Sequence, residues 1–157
     1  MDYTPFYITL KLACLTSLLL FVVGIPLSYF LAFSRSKIGL LIESLLMLPI
    51  VLPPTVLGFY YLIFLGPGST IGHFFEEYFN FSFAFSFEGI LVGSIIYCTP
   101  FMLSPLINGF RTIPQNIIES TLLLGKTKIN ALTNVFLPSM KGAIWNAVLL
   151  TFAHTIG

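Results

Sequence analysis

The chain has 157 residues, 57% of them hydrophobic and only 8% charged, with a formal net charge of +1. A soluble domain carries about 25% charged residues. Composition therefore excludes a soluble globular domain and points to an integral membrane protein, and the near-neutral balance gives no footing for nucleic-acid binding. Cys14 and Cys98 both fall in apolar segments, where a free cysteine is expected to be buried as a small hydrophobe. No Cys/His cluster points to a metal site.

A membrane-crossing helix needs about 20 mostly apolar residues. Taken in chain order, residues 7–33, 40–65 and 89–110 qualify, and 142–157 begins a fourth apolar run. The expected fold class is thus all-α, a polytopic transmembrane helix bundle. The segment around 7–33 does not read as a signal peptide: Asp2 precedes it, it lacks a basic leader, and its apolar run is too long. The fourth run reaches Gly157 after a length marginal for a span, so a longer protein is expected. Lys11 and Glu43 are expected to snorkel to an interface or to pair there.

Basic residues set the orientation. Arg35 and Lys37 lie between the first two spans, and Arg111, Lys126, Lys128 and Lys141 between the last two, whereas the 66–88 loop carries Glu76, Glu77 and Glu88 without Lys or Arg. The N-terminus and the 66–88 loop are expected outside, and the 34–39 turn and the 111–141 loop inside. Within the outer loop, Ile71, Phe74, Phe75, Tyr78 and Phe79 recur at helical spacing, with Ser69 or Thr70 as the cap. This predicts an amphipathic helix lying on the interface. The alternating Phe79, Phe81, Phe83, Phe85 and Phe87 fit a strand by period, or an aromatic segment at headgroup level; the second is favoured because a lone strand has no partner.

The second span departs from a plain helix. Pro49, Pro53 and Pro54 each remove a backbone donor, and the freed carbonyls must find partners inside protein or beside water. The segment reads either as a kinked packing helix or as a pathway-lining or gating helix, with Thr55 presenting its hydroxyl after the proline pair. In the third span, Thr99, Pro100, Ser104 and Pro105 read first as packing residues. His154, in the last run, reads as a packed neutral histidine, and His73 calls for no special role.

The 111–141 loop is the most informative stretch. Thr112 and Gln115 have capping-box spacing with Pro114 in the first turn, predicting a helix from about Ile113 to Leu124 that sets Gln115 and Glu119 on one face. Gly125 permits a turn, and a second short helix runs through 126–136 before Leu137-Pro138 stops it. The apolar stripe of such a hairpin either packs on the membrane surface or its own chain, or docks in a groove of a soluble partner.

The spacing Glu119-Ser120-Thr121, Gly125, Val135, Leu137-Pro138 resembles the EAA loop of type I ABC importer permeases, which runs Glu-Ala-Ala, three residues, Gly, nine residues, then Ile-x-Leu-Pro. Glu119, Gly125, Leu137 and Pro138 match; Ser120 and Thr121 replace the alanines and Val135 the isoleucine. ITLKLA, LPIVLPPTVLGFYYL, FAFSFEGI and FAHTIG resemble the permease subunits of molybdate transporters along essentially the whole chain. In that family the last span continues Glu-Phe-Gly and is followed by an outer loop and at least one more helix. The resemblance implies a multi-pass subunit of the bacterial inner membrane. It implies two copies forming the pathway, an extracytoplasmic molybdate-binding protein, and two cytoplasmic ATPase subunits docked on the EAA loop. It implies no catalytic residue and no cofactor on this chain, which carries no Gly-rich phosphate loop. A sulfate or tungstate permease of the same family, and a secondary transporter or membrane scaffold, are the alternatives.

Overall fold

The computed structural model describes residues 3–34, 36–123 and 127–157, and only the backbone of Leu122 and Lys128. The described elements are helical. α1 (Thr4–Phe33) is followed by α2 (Lys37–Val51), α3 (Pro54–Leu65), α4 (Thr70–Phe79) and α5 (Phe87–Arg111). α6 (Gln115–Leu123), α7 (Lys128–Ala131), a π-helical turn (Leu132–Phe136), α8 (Leu137–Ser139) and α9 (Lys141–Ile156) complete the chain. Among the described residues α1 and α5 alone are single helices long and apolar enough to cross a membrane; counting each bent pair as one span gives four.

α1, α5 and α9 pack side by side and form the core. α1 turns a face of small residues toward α5: Ala13, Ser17, Gly24 and Ser28 are buried, and a Cβ on Gly24 would stand 3.2 Å from Met102. Small residues allow the backbones of membrane helices to approach, where dispersion rather than water drives association. Cys98, Met102, Leu106 and Phe110 of α5 fill the seam. Cys98 is buried as expected, but Cys14 is not; it lies on the outward face of α1, beside exposed Leu18 and Val22. In a helix apolar all round, sequence period does not tell the two faces apart.

The expected span 40–65 is two helices bent by 113°. Leu52 and Pro53 both take extended ψ angles, 135° and 140°, because a residue before proline is pushed out of the helical region. Pro54 then opens α3 at a position where its missing N–H costs nothing. Pro49, Pro26, Pro100 and Pro105 all sit inside continuous helices.

The outer-loop helix forms as its spacing predicts. Ser69 accepts from the Gly72 amide at 2.8 Å, and Asn80 closes α4 in the left-handed conformation, φ 50°. The alternating phenylalanines form no strand. They make a cluster of rings instead, with Phe83 edge-on to Phe75 at 5.0 Å and to Phe81 at 4.8 Å. Lys11 does not pair with Glu43; its ammonium lies 4.8 Å from the centre of the Phe87 ring.

Candidate functional site

The end of the bundle carrying Lys37, Arg111 and Lys141 holds the residues singled out by sequence. α5 ends when Thr112 folds back: its amide donates to Asn108 at 3.0 Å and its hydroxyl to the Gly109 carbonyl at 2.8 Å. That hydroxyl is therefore spent on the C-terminus of α5, and the expected capping box with Gln115 does not form. The Pro114 carbonyl receives the Ile117 amide at 3.0 Å instead, and α6 starts at Gln115. Gln115 and Glu119 do share a face, joined by an amide-to-carboxylate bond of 3.2 Å.

The hairpin has two unlike faces. Its apolar side packs on its own chain, which answers one of the two readings left open by sequence. Ile113, Ala131, Phe136 and Met140 are buried, and Ile117, Ile118, Val135 and Leu137 pack against them. Tyr29 and Phe33, from the last turn of α1, meet Phe110 and Phe136 in one aromatic cluster with ring centres 5.6 to 6.2 Å apart. Aromatic pairs at such separations are worth about 1 kcal/mol each beyond their buried area. The hairpin is thereby fixed to α1 and α5 together. Sequence reasoning missed Phe136 and Met140; their four-residue spacing was the available signal.

The opposite side is open. Glu119, Ser120 and Pro138 are exposed, whereas Thr121 is buried and donates to the Ile117 carbonyl at 2.7 Å. Ser120 donates to Asn116 at 2.6 Å. Leu123 and Ile129 are exposed at 88% and 73%, far more than an isolated soluble surface tolerates for two neighbouring apolar chains. Gly125 lies outside the described residues.

The other candidate, the proline-rich break, lies apart from the hairpin. Pro53, Pro54 and Thr55 are exposed and Pro49 is half-buried. α2 and α3 are each fastened to α5. Arg111 donates to both carboxylate oxygens of Glu43, at 2.9 and 2.7 Å. At the far end, the Tyr61 hydroxyl donates to the Gly89 carbonyl at 2.7 Å. The hairpin's neighbour Arg111 thus reaches the broken span, a link not expected from sequence. His154 stacks on Phe101 at 3.7 Å between ring centres and gives its Nδ1–H to Leu150 at 2.9 Å, a packed role on an exposed face.

The sequence profile of the binding-protein-dependent transport system inner membrane component family matches residues 24–157. The chain belongs to that family. Among curated relatives it is 38% identical over 156 residues to the molybdenum transport system permease protein ModB of Azotobacter vinelandii, covering 99% of this chain and 69% of that protein. It is 23% identical to the probable transport system permease protein NifC of Clostridium pasteurianum, covering 95% and 54%. It is 30% identical over 117 residues to the sulfate transport system permease protein CysW of Escherichia coli K12, covering 74% and 40%. The chain thus spans between two fifths and about two thirds of the length of these permeases. Membership of a binding-protein-dependent transport family sets aside the secondary-transporter and scaffold alternatives.

Proposed function

We propose that this chain is the membrane subunit of an ATP-driven molybdate importer in the bacterial inner membrane, with its N-terminus outside. Two copies form the pathway within the lipid, a binding protein delivers the oxyanion outside, and two ATPase subunits work inside. The observation that carries this reading is the two-faced hairpin of the basic end. Its exposed side, with Glu119, Ser120, Leu123 and Ile129, is a surface for an ATPase groove. Its other side is tied to α1 and α5, so displacement of the docked hairpin passes into the bundle. Thr121, Gly125, Val135, Leu137 and Pro138 shape it: the small residues set close packing, and Pro138 ends the second arm.

No ATP is consumed on this chain; hydrolysis belongs to the separate ATPase. The pathway includes the break at Pro49, Pro53 and Pro54, where backbone groups freed by proline and the Thr55 hydroxyl provide polar contacts. Sulfate is the second reading, favoured by the relative named as a sulfate permease.

Replacing Glu119 by Lys reverses the charge at the docking face without touching the buried side. The Glu119→Lys subunit should insert normally but lose co-purification with the ATPase and the stimulation of ATP hydrolysis by loaded binding protein. Unimpaired coupling in that variant would overturn the assignment.

A further inference from the structure

α1, α2, α3, α5 and α9 contain two carboxamide side chains in all, Asn108 on α5 and Asn146 on α9. Both line one groove of about 480 Å³ between these helices, with Ser104 a turn further along α5 and Thr112 at its mouth. In helices otherwise apolar, two exposed carboxamides converging on one groove are costly to keep in contact with lipid. The described residues lining the groove include no acid.

The rest of the setting favours an anion. Ser104, Asn108 and Asn146 offer neutral O–H and N–H donors, the type of group that meets oxyanions without a fixed positive charge to trap them. The groove opens at the end of the bundle bordered by Lys37, Arg111 and Lys141. Arg111 itself is engaged by Glu43, so the basic fringe draws an anion toward the mouth without a free guanidinium in the groove. Passage requires binding weak enough for release.

The groove is also placed to respond to the hairpin. Its floor is the contact of Gly109 with α9: a Cβ on Gly109 would stand 2.7 Å from Ala143 Cβ and 2.7 Å from Met140 Cε. Movement about this contact changes the separation of α5 and α9, and residues 112–140 join the two helices directly. We infer that Ser104, Asn108 and Asn146 form a weak subsite for a tetrahedral oxyanion on the inner side of the pathway, and that its width is set at the Gly109–Ala143 contact. The inference rests on the importer reading for its ligand.

The test uses the assembled transporter in proteoliposomes with molybdate as the probe. Asn108→Leu and Asn146→Leu should each lower molybdate taken up per ATP hydrolysed about tenfold, with binding-protein-stimulated hydrolysis retained. Asn146→Ser, which keeps a donor, should recover much of the uptake. Unchanged uptake per ATP in both Leu variants overturns the subsite. A second measurement needs no ATPase. In a Cys14→Ser, Cys98→Ala background, Asn146→Cys should react with a water-soluble thiol reagent, and molybdate should slow that reaction. Reaction indifferent to molybdate overturns the subsite. So does a disulfide joining two copies of the Asn146→Cys variant, which would make the groove a contact between subunits. Protection by molybdate in a wild-type assembly that shows no ATP-driven uptake would support the subsite while refuting the importer reading.

Discussion

The two arms of the broken span are held to the two ends of α5 by different chemistry. At the basic end Arg111 grips Glu43 of α2 through two charged hydrogen bonds, with the partners' side chains 41% and 20% exposed. At the other end Tyr61 of α3 gives one neutral hydrogen bond to the Gly89 carbonyl, beside an apolar cavity of about 630 Å³ lined by Leu57, Leu65 and Tyr97. An ion pair is tolerable where water can reach it, since desolvating two charges costs several kcal/mol per ion. A hydroxyl satisfies one carbonyl in apolar surroundings without that penalty. The arm near the hairpin should therefore be sensitive to salt, and the outer arm insensitive.

The largest expected effect breaks the outer attachment. A Cβ on Gly89 would run into the Phe83 carbonyl, and backbone cannot yield as a side-chain tip can. Gly89→Leu should cost about 3 kcal/mol, as overpacking does, read as a lower thermal unfolding temperature in detergent. Wild-type stability in that variant would mean that the α5 start is looser than its capping bonds imply. Next comes the ion pair. Arg111→Gln and Glu43→Gln should each cost about 1 kcal/mol. The double variant should cost less than the sum, and the exchange Glu43→Arg with Arg111→Glu should recover part of the loss; strict additivity would show that the pair contributes nothing. High salt should shrink these differences. Tyr61→Phe should also cost about 1 kcal/mol, but equally at low and high salt, and a salt-dependent loss would erase the contrast between the arms. The smallest effect on stability is expected for the exposed Thr55. Thr55→Val should leave unfolding unchanged and lower oxyanion uptake, and unchanged uptake would remove Thr55 from the pathway.

Local chemistry made several features legible in the sequence. Ser69 caps α4, Pro53 and Pro54 interrupt the second span, and Gln115 meets Glu119, because each outcome is decided within about one turn of chain. Tertiary partners decided the rest. The prolines dictate that the helix breaks, but the 113° bend also depends on where Arg111 and Tyr61's acceptor hold the two arms. Thr112 carried two compatible fates, cap of the next helix or close of the previous one, and the Gly109 carbonyl won. Asn108 and Asn146 lie 38 positions apart and became a pair only when α5 and α9 were laid side by side.

The π-helical turn at Leu132–Phe136 makes the second arm of the hairpin indexable. A wider turn accommodates one residue beyond the regular helical count, so deleting a single residue there would restore an ordinary helix rather than destroy it. The cost would be angular: everything downstream would turn by about 100°, one residue's share of a helical turn. Phe136 would leave the aromatic cluster of α1 and α5, and the exposed Pro138 would swing toward it. Chain length in this segment acts as a dial that selects which side of the arm faces the bundle.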